Sequence, residues 1–225
     1  MPMTEIAINA FLLAFPALLS IVNPLGSAMI FHEVTFGREA QRAALARRVA
    51  VYATLVLLVA VGAGTYILSF FGISLNALRI AGGFVLSARA YEMLSAPDTT
   101  NARKQRDAEP VGAAEEEDLG GYAFFPLTLP FTTGPGTIAV AISLGTARPL
   151  GWPAVGAFYA GAAAGVVALA LLIWASYATA DRVAAALGNT GRIVMARMMA
   201  FLLLGIGVQI AINGVVPVLQ GALAR

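Results

Sequence analysis

Asn23-Pro24-Leu25-Gly26 and Thr133-Gly134-Pro135-Gly136 each interrupt a long apolar stretch that otherwise reads as a membrane helix. A Pro/Gly break at membrane depth frees backbone donors and acceptors where no water can pair them. Such a break is tolerated only where the freed groups face protein, water or a bound ligand. The two breaks occupy matching places in the two halves of the chain. Paired breaks of this kind point to a transporter binding site at the interface of two repeats.

The composition is that of a membrane protein. Hydrophobic residues make up 59% of the 225 and charged residues only 12%, against about a quarter charged in a soluble domain. Charge-free runs extend from Ile6 to Phe31, Val49 to Leu78, Leu119 to Ala147, Pro149 to Ala180 and Met198 to Ala224. Each exceeds the roughly 20 residues a spanning helix needs. There is no cysteine and a single histidine, His32. Thiolate chemistry is therefore excluded, and no metal centre, cofactor or enzymatic activity is expected. The start, Met-Pro-Met-Thr-Glu, lacks a basic region before the first apolar run, which reads as an uncleaved helix. The net charge of +2 does not point to nucleic acid, because the basic residues flank the apolar runs.

These runs predict an all-α, polytopic protein with spans at 5–35, 47–70, 73–95, 121–146, 152–180 and 192–221. Basic residues gather in the loops after span 1 (Arg38, Arg42, Arg47, Arg48), span 3 (Arg103, Lys104, Arg106) and span 5 (Arg182, Arg192). Lys and Arg favour the cytoplasmic side, so both termini are expected on the periplasmic side. Residues 96–120, with the acidic cluster Glu115-Glu116-Glu117-Asp118, read as a cytoplasmic linker between a first repeat at 1–95 and a second at 121–225. With three spans each, the repeats enter the membrane in opposite directions. Phe15-Pro16 and the first break parallel Phe125-Pro126 and the second at a constant offset of 110. Arg79 and Arg197 correspond at a slightly larger offset.

The chemistry of the breaks follows from their residue types. Asn23 suits an N-cap and Pro24 the first helical position, so a helix ends near Val22 and a half-helix opens at Pro24. In the second break Thr132 or Thr133 is expected to cap a half-helix opening around Pro135, with Gly134 and Gly136 allowing close approach of a ligand. A half-helix N-terminus offers free N–H groups and about half a positive charge to a carboxylate. The preceding half-helix offers carbonyls to an ammonium. Facing pairs of such ends suit a small zwitterion. Asn23, Pro24, Leu25, Gly26, Thr132, Thr133, Gly134, Pro135 and Gly136 are thus candidate substrate-binding residues. Packing kinks are the alternative.

Arg79 and Arg197 lie within apolar helices and read either as anchors or as gates of the two mouths. Arg89 and Glu92 are spaced to pair on one helix face. His32-Glu33 ends span 1 as ordinary surface or as a proton-coupling pair. Asn213-Gly214 reads as a helix ending before Pro217 or as an exit lining. Gly82-Gly83 and the series Gly156, Ala160, Gly161, Ala164, Gly165 read as close helix-packing faces.

Taken together, these residues resemble the MarC family, small six-span inner-membrane proteins grouped with the LysE superfamily of exporters. The resemblance rests on Asn23-Pro24-Leu25-Gly26, on Pro126-Leu127 through Pro130, and on Thr133-Gly134-Pro135-Gly136. It extends to Gly72-Ile73-Ser74-Leu75 through Leu78-Arg79-Ile80-Ala81-Gly82-Gly83, Arg197-Met198-Met199, and Gln209 through Asn213-Gly214. Arg89 and Ala200 depart from the pattern, where an apolar residue and a glycine are expected. The resemblance implies 3+3 inverted repeats with helices 1 and 4 broken. It further implies transport of small neutral amino acids such as glycine or alanine across the bacterial inner membrane, with a proton as coupling ion. Export of another small solute and a non-transporting accessory role are the alternatives. Nothing in the sequence indicates an oligomeric state.

Overall fold

A computed structural model describes residues 2–35, 38–95 and 119–223. Residues 96–118 of the expected linker, with its acidic cluster, lie outside the described residues, as do the side chains of Glu33 and Arg89. The first apolar run forms two helices, α1 (Met3–Val22) and α2 (Pro24–Val34), broken at Asn23 as the sequence predicts. α3 (Arg42–Phe70) and α4 (Leu75–Ser95) follow, joined by a turn through Gly72. Leu119 and Gly120, expected in the linker, instead begin a short helix, α5 (Leu119–Tyr122). A π-helical stretch, Ala123–Thr132, leads to α6 (Pro135–Thr146), then α7 (Trp152–Ala178) and α8 (Ala180–Leu223).

Two expectations are corrected here. Arg182 and Arg192 do not sit in a loop. α8 starts at Ala180 and bends at Gly188, which adopts φ 63°, a left-handed conformation that glycine enters without steric cost. The first half of span 4 is also not a plain α-helix. Phe125 and Leu129 are extended, at φ −127° and −112° with ψ 122° at both. Each precedes a proline, Pro126 or Pro130, whose ring clashes with a helical neighbour and pushes it into the β region. The Phe125-Pro126 bond is cis.

Packing places the broken elements inside the bundle. α4 lies along α8, and α1 along α7, while α3 contacts both α6 and α7. α2 is held between α7 and α8, and α6 between α3 and α4. Leu18, Leu45, Leu57, Leu127, Leu169 and Ile173 are fully buried at the centre. Small residues set the closest crossings. A Cβ on Gly83 would lie 2.5 Å from the Gly207 carbonyl and the Ala211 nitrogen. Gly161 abuts the Ala7 carbonyl, and Gly165 the backbone of Phe15. Of the expected small-residue series on span 5, Gly156, Ala160 and Ala164 are exposed and do not make that crossing.

The outer surface is apolar, with Leu55, Val59, Leu171 and Phe201 exposed. Such a surface is stable against hydrocarbon and costly against water. Among the described residues, four segments are long and apolar enough to cross a membrane: Met3–His32, Glu39–Phe70, Trp152–Ala178 and Ala200–Leu223. Leu119–Leu129 and Pro135–Thr146 are shorter apolar helices.

Candidate functional site

The first break closes on itself. Asn23 sits at φ 45°, ψ 68°, and its N–H donates to the Leu19 carbonyl at 2.9 Å, ending α1. Its Oδ1 accepts from the Gly26 N–H at 3.3 Å, and its carbonyl from the Ser27 N–H at 2.9 Å, starting α2. Ser27 Oγ donates back to the Val22 carbonyl at 2.6 Å. One asparagine thus serves as C-cap of α1 and N-cap of α2, the second role being the one expected. Asn tolerates this left-handed conformation better than most residues. Pro24 and Gly26 are buried. Leu25 is 71% exposed and lines neither of the cavities described below.

The second break is built differently, which corrects the expected threonine caps. Gly134 is the N-cap of α6, and no side chain caps that helix. Thr132 Oγ1 donates to the Leu127 carbonyl at 2.7 Å, and Thr133 Oγ1 to the Thr128 carbonyl at 3.1 Å. The reason lies in the π-helical turn, whose carbonyls find partners five residues on. Hydroxyls at Thr132 and Thr133 reach those carbonyls and are turned away from α6. Both threonines are buried. Gly134 and Pro135 are half-buried and Gly136 is buried. Gly82 of α4 packs on this corner, its Cβ position 3.0 Å from the Gly136 nitrogen and the Pro135 carbonyl.

One residue that sequence reasoning missed brings the breaks together. The Tyr177 hydroxyl on α7 lies 2.8 Å from Thr132 Oγ1. Thr132 spends its single proton on Leu127, so Tyr177 is the donor. Ser27 lines one small pocket with the same phenol. Ser27 directly follows the first break, and Thr132 immediately precedes the second. Tyr177 also stacks on Phe31, with ring centroids 4.5 Å apart. Ser27, Phe31, Leu127, Phe131 and Tyr177 enclose a small pocket there. The signal in the sequence was a phenol inside the apolar run Pro149 to Ala180.

A polar cluster closes one end of the bundle. Arg42, read from sequence as a loop charge, is 6% exposed. It donates to Asp181, to Thr35 Oγ1 at 2.9 Å, and to the His32 and Thr35 carbonyls and Glu39 Oε1 at 3.3 Å each. His32 Nδ1 lies 2.8 Å from Asp181 Oδ1. Tyr122 donates to the Val34 carbonyl at 2.9 Å, with the Arg38 guanidinium 4.2 Å from its ring centre. The end of α2 is thereby tied to the starts of α3 and α8.

The other end opens into a cavity of about 690 Å³ between α1, α4, α6 and α8. Arg79, Ser143 and Asn213 line it among mostly apolar neighbours. Arg79 is half-buried and donates to the Ser143 hydroxyl and, at 3.5 Å, to Asn76 Oδ1. Arg197 is exposed, and the structure does not bring it to this cavity. In the nearby turn, Arg148 donates to the Tyr66 hydroxyl at 2.9 Å. That bond, then one to Tyr159, raises the Arg148 pKa above its ordinary value. Among the described residues no group of His, Asp and Glu is placed to hold a metal ion.

Comparison with known proteins places this arrangement. The model of the MarC family integral membrane proteins matches residues 8–219. The UPF0056 inner membrane protein MarC of Escherichia coli O157:H7 is 32% identical over 216 residues, covering 92% of this chain and 95% of that protein. Proteins of the same name from Citrobacter koseri and Shigella flexneri are 30% identical over 214 residues, with the same coverage. No solved structure matches the chain. With a family model over nearly its whole length and full-length relatives at this identity, the chain belongs to the MarC family of integral membrane proteins.

Proposed function

We propose that this protein is a secondary transporter or facilitator of small neutral amino acids, such as glycine or alanine, that works by alternating access. The observation that carries the proposal is that the two helix breaks pack around one phenol, which bonds Thr132 and shares a small pocket with Ser27. The break at Gly134 leaves the first turn of α6 with no side-chain cap. Its N–H groups are the ones offered to a substrate carboxylate. The first break contributes shape instead, since Asn23 already occupies the Gly26 N–H. The buried Pro24, Gly26 and Gly136 leave room only for a small substrate.

The helix contacts support 3+3 inverted repeats with six spans. Exchanging the halves maps α1 against α7 onto Ala123–Thr132 against α3, and α2 against α8 onto α6 against α4. The contact of α4 with α8 maps onto itself. Rocking of one repeat on the other then moves the breaks between two faces of the membrane. The relatives are named as inner membrane proteins, and the same location is proposed here. The distribution of Arg and Lys supports periplasmic termini. A proton is the proposed coupling ion.

Purified protein in liposomes tests the proposal. Labelled glycine or alanine should accumulate above the level of empty liposomes, and a pH gradient should change the rate. Uptake equal to that of empty liposomes across a panel of small amino acids and pH gradients contradicts it.

A further inference from the structure

The 690 Å³ cavity contains a charge that no carboxylate among the described residues balances. Arg79 is half-buried within an apolar helix, and its hydrogen-bond partners are the neutral Ser143 hydroxyl and Asn76 amide. No carboxylate among the described residues lies within ion-pair distance of it. A half-buried guanidinium among apolar neighbours is costly unless paired or hydrated. At about 30 Å³ per water, the cavity has room for on the order of twenty waters or for a small solute with part of that water. The buried Arg42 is the contrast, since it is matched to Asp181 and Glu39.

The cavity leads toward the second break. Ser143 lies eight residues along α6 from Pro135, which is ~12 Å along the helix axis. Ile210 lines the cavity, and its Cδ1 lies 3.1 Å from where a Cβ on Gly136 would be. The Ile210 side chain therefore touches both the cavity and the break.

We propose that this cavity is a carboxylate-binding vestibule in which the Arg79 guanidinium takes the carboxylate of an incoming amino acid, with Ile210 as the partition between the vestibule and the Gly134–Gly136 break. The anion site stands on the geometry alone. Its place on a substrate path rests on the transport reading. Gly214 packs against the Arg79 Cβ and the Asn76 carbonyl, so the neighbouring Asn213 is a reporter position close to the charge.

The native chain has no cysteine, so Asn213→Cys creates a single reactive thiol in the full-length protein. Its modification is followed in detergent with an anionic sulfonate and a cationic trimethylammonium methanethiosulfonate. The anionic reagent should react faster, and Arg79→Gln should lower the anionic-to-cationic rate ratio at least about fivefold. Arg79→Lys should keep most of the preference. Millimolar acetate or glycine should slow labelling when Arg79 is present and not in the Arg79→Gln variant, while ethanolamine should not protect. If Arg79→Gln does not stay monodisperse, the Arg79→Lys variant and the acetate protection still decide. A rate ratio unchanged by Arg79→Gln overturns the proposal. So does protection by inorganic phosphate without protection by acetate or glycine, which indicates a phosphate or lipid-headgroup site. Protection by glycine in a protein that carries no glycine overturns the transport reading and leaves the anion site standing.

Discussion

The Tyr177 hydroxyl donates to Thr132 Oγ1 across 2.8 Å, linking α7 to the stretch just before the second helix break. Thr132 in turn donates to the Leu127 carbonyl, so the phenol completes a chain of two hydrogen bonds within the π-helical turn. Ser27, which lines one small pocket with the same phenol, brings the first break beside this chain. The two breaks thus pack against one side chain.

Tyr177→Phe removes the donor and leaves the Thr132–Leu127 bond in place. The expected loss is about 1 kcal/mol, a fall in Tm of roughly 2–4 °C for a chain of this size. Thr132→Val should cost more, because it also removes the bond to Leu127 and strands the phenol, and the double variant less than the two losses together, because the Tyr177–Thr132 bond is lost in both. Thermal unfolding of the detergent-solubilised variants measures this. Additive losses would mean that the two hydroxyls are not coupled.

At Asn23 two effects separate by substitution. Asn23→Ala loses the side-chain cap on Gly26 and places an alanine at φ 45°, for an expected cost of about 1–2 kcal/mol. Asn23→Gly loses only the cap, and the backbone angle comes freely, so its cost should be a few tenths of a kcal/mol. Equal destabilisation by the two would show that the left-handed conformation is not maintained in the membrane.

Arg42 should be among the most sensitive positions outside the breaks. Arg42→Leu removes the donor to the Thr35 hydroxyl and to the His32 carbonyl and leaves Asp181 with His32. Asp181 is half-exposed, so the cost is discounted from that of a fully buried pair to roughly 2–3 kcal/mol. Arg42→Lys keeps the charge but loses the planar fork that reaches several acceptors at once, and should fall in between. Size-exclusion stability and Tm check the order Arg42, Arg42→Lys, Arg42→Leu.

The crossing of α4 and α8 has no room for a side chain at Gly83, where the α8 backbone at Gly207 and Ala211 cannot yield. Gly83→Val should abolish monodisperse protein. Gly136→Ala should be tolerated far better, because the nearest atom is the flexible end of Ile210. Comparable yields of Gly83→Val and native protein would contradict the observed crossing.

Those features encoded by adjacent residues were legible in the sequence. Asn23-Pro24 announces a helix end and start within two positions, and the break appears there. The second break was legible as a break but not in its internal bonding. Proline at 126 and at 130 distorts the residue before it, and the widened turn draws the Thr132 and Thr133 hydroxyls backwards. The partners of Arg42 and Tyr177 were not legible at all. Asp181 lies 139 residues from Arg42, and Thr132 lies 45 from Tyr177. Only the packing of α7 against the Ala123–Thr132 stretch and of the start of α8 against the start of α3 creates those pairs. Charge counting placed Arg42 in a loop because hydropathy cannot distinguish a solvated arginine from one buried by its hydrogen bonds.

Uptake of labelled glycine by purified protein in liposomes, beside Gly136→Leu, tests the central claim most directly. A leucine at position 136 would push into Ile210 and Leu86 and fill the second break. The account predicts saturable glycine uptake by the native chain and none by Gly136→Leu, with both proteins eluting as the same folded species. Uptake by the native chain no greater than that of empty liposomes, or undiminished uptake by Gly136→Leu, would contradict it.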